Sequence, residues 1–494
     1  MQDIGSIFQL LLTPNPLALM ALGTSLGVMV GAIPGLTGAM LIALTLPLTF
    51  SMSGEAALIL LVSMYVGSVS GGLITATLLR MPGTPASIMT TLDGYPMAKS
   101  GRPGRALALG VTASLVGGLI SWVFLLLLAK PMADWSTNFG PFEFFSLVLM
   151  ALVLIASVGG KSLSKGLLAG FLGILATMPG TSPATGEVRW NFGFNALDDG
   201  FKLLPVLMGL FAVNQVIRDI VHLEEPIERI RLKKEKLLVS FQDFKKYWGN
   251  MLRSSVIGTW VGILPGIGAN IGSVMAYSAT KTLAKNPDEF GKGSEEGIVS
   301  AESANNATVG GALIPLVAMG IPGSVIDAIL LGALVIHGLQ PGPLLFSQNP
   351  EAVHTMIGTM LLANLFMFAF MLLAMRWLSK LASTPRALLL PVILTFCVIG
   401  SFALGNRMFD VWVMIGFGIF GLVMEKLKIP LAPFVIGFVL APVAEEHLSA
   451  GLMQSGGSLL PLVTRPISLI FFLISLGLLI LSISKQYRAS KTTA

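Results

Sequence analysis

Of 494 residues, 54% are hydrophobic and only 11% charged, and the mean hydropathy of +0.82 lies far above that of soluble domains, so the chain reads as a polytopic membrane protein. The net charge of +6 is no nucleic-acid signature, because Lys and Arg gather beside apolar runs, where they report membrane topology. The single Cys397 rules out a disulfide framework or a cysteine-ligated metal, and His222, His337, His354 and His447 are too scattered for an H-x-x-x-H metal pair.

The opening Met1-Gln2-Asp3 lacks a basic n-region, so no removable signal peptide is expected and the first apolar helix acts as the targeting element. That helix carries Gly23, Gly27, Gly31 and Gly35 at every fourth position, with Pro34 before the last. An apolar segment at 36–50 comes next, then a longer one ending in Gly71, Leu73, Ile74 and the Pro82-Gly83 pair. Arg80 is read either as a partner for a substrate carboxylate or as a side chain snorkelling to the cytoplasmic edge. Asp93-Gly94-Tyr95-Pro96 has the form of a turn that anchors the chain ahead of Lys99 and Arg102. The runs 106–129, 355–378 and 466–483 are long enough to cross about 30 Å of hydrocarbon as helices. Their length excludes the strands of a membrane β-barrel, roughly 10 residues of alternating polarity. Gly159-Gly160-Lys161-Ser162 resembles the end of a P-loop, but Ile155 stands where its first glycine belongs, and ATP binding has no support. No enzymatic site is expected. The stretch 218–254 mixes both charges and reads as a solvated, partly helical linker.

The chain then repeats itself. Gly27, Gly31, Pro34 and Gly35 recur 231 residues later as Gly258, Gly262, Pro265 and Gly266. Gly71, Leu73, Ile74, Pro82 and Gly83 recur 240 residues later as Gly311, Leu313, Ile314, Pro322 and Gly323, the extra nine fitting a polar insertion around Asn286 to Glu296. Glycines at spacing four by themselves only permit close helix packing; the repeated Pro-Gly pairs say more. Lys99, Arg102 and Arg105 precede the span at 106–129 and Lys130 alone follows it, so it runs from inside to outside, whereas its counterpart at 355–378 is followed by Lys380 and Arg386 and runs inward. Lys161 and Lys165, Lys426 and Lys428, the linker and the tail with Lys485, Arg488 and Lys491 are also placed inside. The expectation is an all-α polytopic fold of two inverted-topology repeats with broken or re-entrant helices and about 11–13 hydrophobic segments. Residues 1–217 form the first repeat, 218–239 the cytoplasmic linker, 240–484 the second repeat with an extra C-terminal helix, and 485–494 a cytoplasmic tail, which leaves the N-terminus periplasmic. Whether 36–50 and 267–280 cross or re-enter is left open.

Four Pro-Gly breaks, at Pro34-Gly35, Pro82-Gly83, Pro265-Gly266 and Pro322-Gly323, should each start a new helix whose free N–H groups and partial positive charge suit a carboxylate. The small or donor residues that follow, Thr37, Gly38, Thr84, Ser87, Gly268, Asn270 and Ser324, complete an expected anion cradle. Glu302, Asn305 and Asn306 are costly in hydrocarbon and offer oxygens suited to Na⁺, or in Glu302 a proton carrier. Asp327 is a further cation-coupling candidate. A helix cap or a bond to a neighbouring helix is the plainer reading of each acid.

The stretches AIPGLTGAMLIALTLPLTF, YVGSVSGGLITATLLRMPGTPASIMTTLDGYPMAKSGRPGRAL, GILPGIGANIGS and ESANNATVGGALIPLVAMGIPGS resemble the large membrane subunit, TctA type, of the tripartite tricarboxylate transporters. The resemblance runs from the first helix to at least Pro343, and Pro34, Gly35, Pro82, Gly83, Thr84, Pro265, Gly266, Glu302, Asn305, Asn306, Pro322 and Gly323 match its best-marked positions. Arg80 departs from the amide expected there. The resemblance implies cation-coupled uptake of citrate-like or other organic carboxylates, a small membrane subunit (TctB type) and a periplasmic solute-binding protein (TctC type). A secondary transporter of the bacterial inner membrane is thus expected, coupled to Na⁺ or H⁺ and without other cofactors. A passive organic-anion channel and a permease driven by a separate ATPase are the alternatives.

Overall fold

The computed structural model describes residues 9–33, 35–81, 84, 87–158, 162–221, 238–265, 268–381, 386–403 and 405–492. The chain is 81% helical, and among the described residues β structure is limited to a two-residue antiparallel pair, Gly180–Thr181 with Val188–Arg189. Among the described residues, eight helices are long and apolar enough to cross a membrane, and five shorter apolar helices accompany them. Two compact units result, one of Met1–Met132, Gln215–Leu264 and Gly268–Phe396, the other of Ala133–Asn214, Pro265–Ile267 and Cys397–Ala494. Each unit therefore draws on both halves of the sequence.

The first unit is built on two helix triplets. In the first, α1 (Pro14–Gly31) leads through α2 (Gly38–Thr45) and a 3₁₀ turn (Leu46–Ser51) into α3 (Gly54–Leu78). α4 (Ile88–Lys99) and the long α5 (Pro103–Ser136) come next, the latter leaving this unit at Met132. The second triplet is α10 (Phe241–Ile263), α11 (Gly268–Leu283) and α12 (Glu295–Met319), followed by α13 (Val325–Ile336), α14 (Pro343–Gln348) and α15 (Pro350–Leu381). Ser53 and Ser294 cap α3 and α12 by accepting from Ala56 N and Gly297 N, with acids in both first turns. α12 ends on Gly320 in the left-handed conformation, whose N–H reaches back to the last carbonyls.

The glycine spacing has a direct structural consequence. A Cβ at Gly23, Gly27 or Gly31 would fall within 3 Å of a backbone oxygen of α3, at Leu60, Met64 and Ser68 in turn. These contacts advance together along both helices, so α1 and α3 are parallel and α2 doubles back between them. Gly258 meets Ala304 O and Gly262 meets Thr308 O in the same way, while Gly71 meets Val28 O and Gly311 meets Thr259 O. Shifted by 231 and 240 residues, the two sets coincide residue for residue. The same shift maps the unbroken buried stretch Ala57–Leu78 of α3 onto Gly297–Ala318 of α12. In lipid no hydrophobic effect drives helices together, so close backbone approach at small residues supplies the attraction. Gly31→Ala or Gly262→Ala should each overpack its seam at a cost of about 1–3 kcal/mol, read as a lower melting temperature in detergent, whereas Gly101→Ala, where a Cβ meets nothing within 4 Å, tests the strained backbone alone.

Asp93-Gly94-Tyr95-Pro96 is not a turn. It lies within α4, with Pro96 accommodated inside the helix. Asp93 is the reason: its side chain is spent on another segment rather than on its own backbone. Oδ1 accepts from the N–H groups of Gly291, Gly293 and Ser294 at 2.8–2.9 Å, and Oδ2 from the Tyr277 hydroxyl at 2.7 Å. The polar insertion is thereby tied to α4 just before α12 begins. A second tie joins the starts of α5, α10 and α12, where the Arg105 guanidinium takes both oxygens of Asp243 and of Glu295.

The second unit contains α6 (Pro141–Val158), α7 (Leu163–Ala176), α8 (Leu203–Leu207) continued by a π-helix (Met208–Val213), and the later α17 (Met408–Lys426), α18 (Leu431–Gln454), α19 (Pro461–Thr464) and α20 (Pro466–Thr492). α9 (Asn214–Val221) and α16 (Arg386–Ala403) run across the boundary between the units. α7 and α18 pack backbone to backbone through Gly173 and Gly437. Arg189 on the β pair is held in a fork by Glu445 at 2.8 and 2.6 Å, and Arg465 pairs with Glu143. Most of the linker, residues 222–237, lies outside the described residues.

Candidate functional site

Every expected break falls between two helices. α1 ends at Gly31 and α2 begins at Gly38; α3 ends at Leu78 and α4 begins at Ile88; α10 ends at Ile263 and α11 begins at Gly268; α12 ends at Met319 and α13 begins at Val325. Gly35 and Gly268 adopt φ of +91° and +67°, which only glycine takes without strain. Pro34, Pro82, Gly83 and Gly266 lie outside the described residues.

Residues flanking three of the breaks meet two short stretches of the central helices, whereas Gly35 itself lies beside Gln215 and the Asp219 carboxylate. Gly38 lies against the Ser68 side chain of α3, with Ile326 of α13 beside it, and Thr84 and Ser87 lie against Gly72 of α3. In the second half, Gly323 lies against Ala312 of α12 and the Gly262 carbonyl, and Gly268 faces Ser324. The Tyr65 hydroxyl, from the same stretch of α3, stands 3.3 Å from Ser324 Oγ. Asn305 Nδ2 donates to Val69 O at 3.4 Å and Asn306 Oδ1 accepts from Ser70 Oγ at 2.5 Å, so the middles of α3 and α12 are joined directly. Tyr65–Gly72 and Glu302–Ala312 thus form one buried polar centre where α3 meets α12.

The polar groups there are wholly buried. Glu302, Asn305 and Asp327 have no exposure and Asn306 almost none. Glu302 accepts from Thr90 Oγ1 of α4 on one oxygen and from Ser114 Oγ of α5, at 3.3 Å, on the other. Asp327 Oδ2 has the Tyr65 hydroxyl at 3.5 Å. Asp327 Oδ1 and Asn305 Oδ1 find no hydrogen-bond partner among the described residues. Burying an ionised carboxylate is opposed by several kcal/mol. Two hydroxyl bonds to Glu302, about 1.5–3 kcal/mol each, offset part of that; the α13 N-terminus above Asp327 supplies about 0.3–2 kcal/mol. Neither compensation is complete, so both sites favour an added positive charge.

Other expected residues have different surroundings. Thr37 caps α2 by accepting from Met40 N, Ser324 caps α13 by accepting from Asp327 N, and Thr84 bonds Ser87 at 2.9 Å. Asn270 is exposed on the first turn of α11. Pro265 and Pro322 are buried. Arg80 is exposed, has φ of +55° and lies 5.7 Å over the Tyr95 ring. A cavity of about 440 Å³ lined by Ser53, Glu55, His337, Asn349 and Glu351, among others, touches none of the breaks. Thr90, Ser114, Tyr65 and Ser70 are additions to the expected site. Tyr65 and Ser70 carry a signal in the sequence, as hydrogen-bonding side chains within a 25-residue apolar run.

Residues 17–436 match the model of the tripartite tricarboxylate transporter TctA family. The chain belongs to this family. It is therefore a multi-pass membrane transporter component, the large subunit of an assembly with partner subunits. Among its relatives is a protein of Agrobacterium vitis described as an uncharacterized 52.8 kDa protein in the TAR-I ttuC' 3' region, 33% identical over 98% of this chain and 96% of that protein. A second A. vitis protein, from the TAR-II ttuC' 3' region, is 36% identical over 47% of this chain and 97% of its own length. Among solved structures, the transmembrane domain of the cyanobacterial bicarbonate transporter BicA aligns over 81% of this chain and 96% of its own at 15% identity, with a TM-score of 0.21 that supports no inference about fold.

Proposed function

We propose that this TctA-family chain is a secondary transporter of the bacterial inner membrane that carries an organic di- or tricarboxylate inward with Na⁺ or H⁺. It would receive the substrate from a TctC-type periplasmic binding protein and work beside a small TctB-type subunit. The observation that carries the reading is that residues flanking three of the helix breaks meet two fully buried stretches of α3 and α12, the second of which holds Glu302, Asn305 and Asn306. Helix N-termini supply donors and positive potential for a carboxylate, and irregular backbone at membrane depth is tolerated only where it lines protein or a watery path. In this reading Gly35, Thr37, Gly38, Thr84, Ser87, Gly268, Asn270, Gly323 and Ser324 cradle the anion, and Glu302, Asn305, Asn306 and Asp327 serve the cation. The glycine seams repeated in both halves support a duplicated origin, and the Lys and Arg distribution supports opposite insertion of the copies, hence alternating access around a midplane site.

The test is uptake by proteoliposomes containing the purified subunits, offered a panel of labelled carboxylates with and without the binding protein. Accumulation above equilibrium is expected only under an inward Na⁺ or H⁺ gradient and without ATP. Uptake unchanged after both gradients are collapsed would favour a passive channel, and a strict need for ATP would favour an external motor. Either result would overturn the proposal.

A further inference from the structure

Among the described residues three carboxylates have no exposure at all: Asp93, Glu302 and Asp327. Three backbone N–H groups and a tyrosine hydroxyl satisfy Asp93, an arrangement that stabilises a buried negative charge. Glu302 has two hydroxyl donors, while Asp327 has one long contact and an oxygen without a partner. Neither has an ion-pair partner among the described residues. Each is left for a mobile positive charge to neutralise.

Their placement is related by the repeat. The 240-residue shift carries Tyr65 onto Asn305, Thr84 onto Ser324 and Ser87 onto Asp327. The crossing of α3 with α13, which holds Asp327, is therefore the counterpart of the crossing of α12 with α4, which holds Glu302. In each, a hydroxyl from the opposite half reaches the acid, Tyr65 for Asp327 and Thr90 for Glu302. Each crossing also holds an unpaired, fully buried oxygen, Asp327 Oδ1 in one and Asn305 Oδ1, one helical turn from Glu302, in the other. The acids are not copies of one ancestral residue, because Val62 stands at the counterpart of Glu302 and Ser87 at that of Asp327. Each crossing thus has its own carboxylate, at a position where the other half carries none.

We propose that the two crossings are two distinct sites, each taking one monovalent cation, H⁺ or Na⁺, so that two cations move with each substrate. The proposal rests on the reading of the chain as a cation-coupled carrier. It is tested in proteoliposomes of the full assembly with the membrane potential clamped at zero, by measuring steady-state substrate accumulation against an imposed Na⁺ or H⁺ ratio. A tenfold ratio should give about 100-fold accumulation in the natural protein, about tenfold in Glu302→Gln or Asp327→Asn, and mere equilibration in the double variant, because each coupled ion contributes its own gradient energy. The ion whose gradient works identifies the cation. Single-cation coupling in the natural protein, or two-cation coupling retained in both single variants, would overturn the proposal while leaving coupled transport intact; accumulation independent of both gradients would overturn coupled transport itself. Thr90→Val and Tyr65→Phe, which keep both acids, guard against misfolded variants. Each should retain two-cation coupling but shift the cation concentration for half-maximal uptake by about tenfold, downward if the cation is H⁺, because the lost hydroxyl bond had stabilised the ionised acid, and an unchanged requirement in both would count against the two sites.

Discussion

Replacing Asn305 and Asn306 together by alanine should reduce gradient-driven uptake to the level of empty liposomes while leaving the protein folded and inserted. The two amides do two jobs. Asn305 Nδ2 and Asn306 Oδ1 reach Val69 and Ser70, and so fix the middle of α12 to the middle of α3. Asn305 also presents a buried oxygen with no hydrogen-bond partner among the described residues, the kind of neutral ligand a hard cation uses beside a carboxylate. Since α3 bears Tyr65 and α12 bears Glu302, loss of the amides disturbs both acids at once, which a change at either acid alone does not do. Ser70 loses one acceptor but still has Val66 O, and the Val69 carbonyl lies inside α3 and keeps its helical donor, so the cost in stability is held to about 1–3 kcal/mol for the lost side-chain bonds. Full uptake by the double variant would remove the amides from the mechanism, and wild-type chromatographic behaviour separates lost transport from lost protein.

Much of this was legible in the residues because the determining features are local. Pro and Gly act on the backbone where they stand, so the four helix ends follow from the Pro-Gly pairs alone. A glycine every fourth residue implies a close-packed seam, and the recurrence at offsets of 231 and 240 implies that the seam occurs twice. Side-chain pairing across helices is a different matter. Nothing near Asp93 in the chain indicates that its partners lie about 200 residues away, and a D-G-x-P sequence is ordinarily a turn because a free aspartate bonds its own backbone. Thr90 and Ser114 were equally silent, since a hydroxyl in an apolar helix usually returns its hydrogen bond to the preceding turn. The division into two units is also absent from the sequence halves, because helices late in each half, such as α6 and α17, join a unit apart from the triplets that open it.

The clearest test of that long-range pairing is Asp93. Asp93→Ala should be among the most destabilising single changes in the chain, since it strands the buried Ser294 N–H and Tyr277 hydroxyl and removes the acceptor of the half-buried Gly291 and Gly293 N–H bonds. At about 1–3 kcal/mol for each unsatisfied buried group, the two buried losses alone amount to about 2–6 kcal/mol, while water can reach the Gly291 N–H. Asp93→Asn keeps one acceptor oxygen for the loop, and Tyr277 can rotate to accept from the new amide, so it should lose much less. The ordering matters more than either value, because a simple space-filling role would make the two variants alike. The consequence reaches the buried polar centre by covalent continuity: α4 carries Asp93 and, one turn earlier, Thr90, whose hydroxyl bonds Glu302. Freed from the loop ahead of α12, α4 can no longer hold Thr90 against that acid. Asp93→Ala that survives purification should therefore show a shifted cation requirement as well as a lower melting temperature, and normal values of both would dismiss the latch.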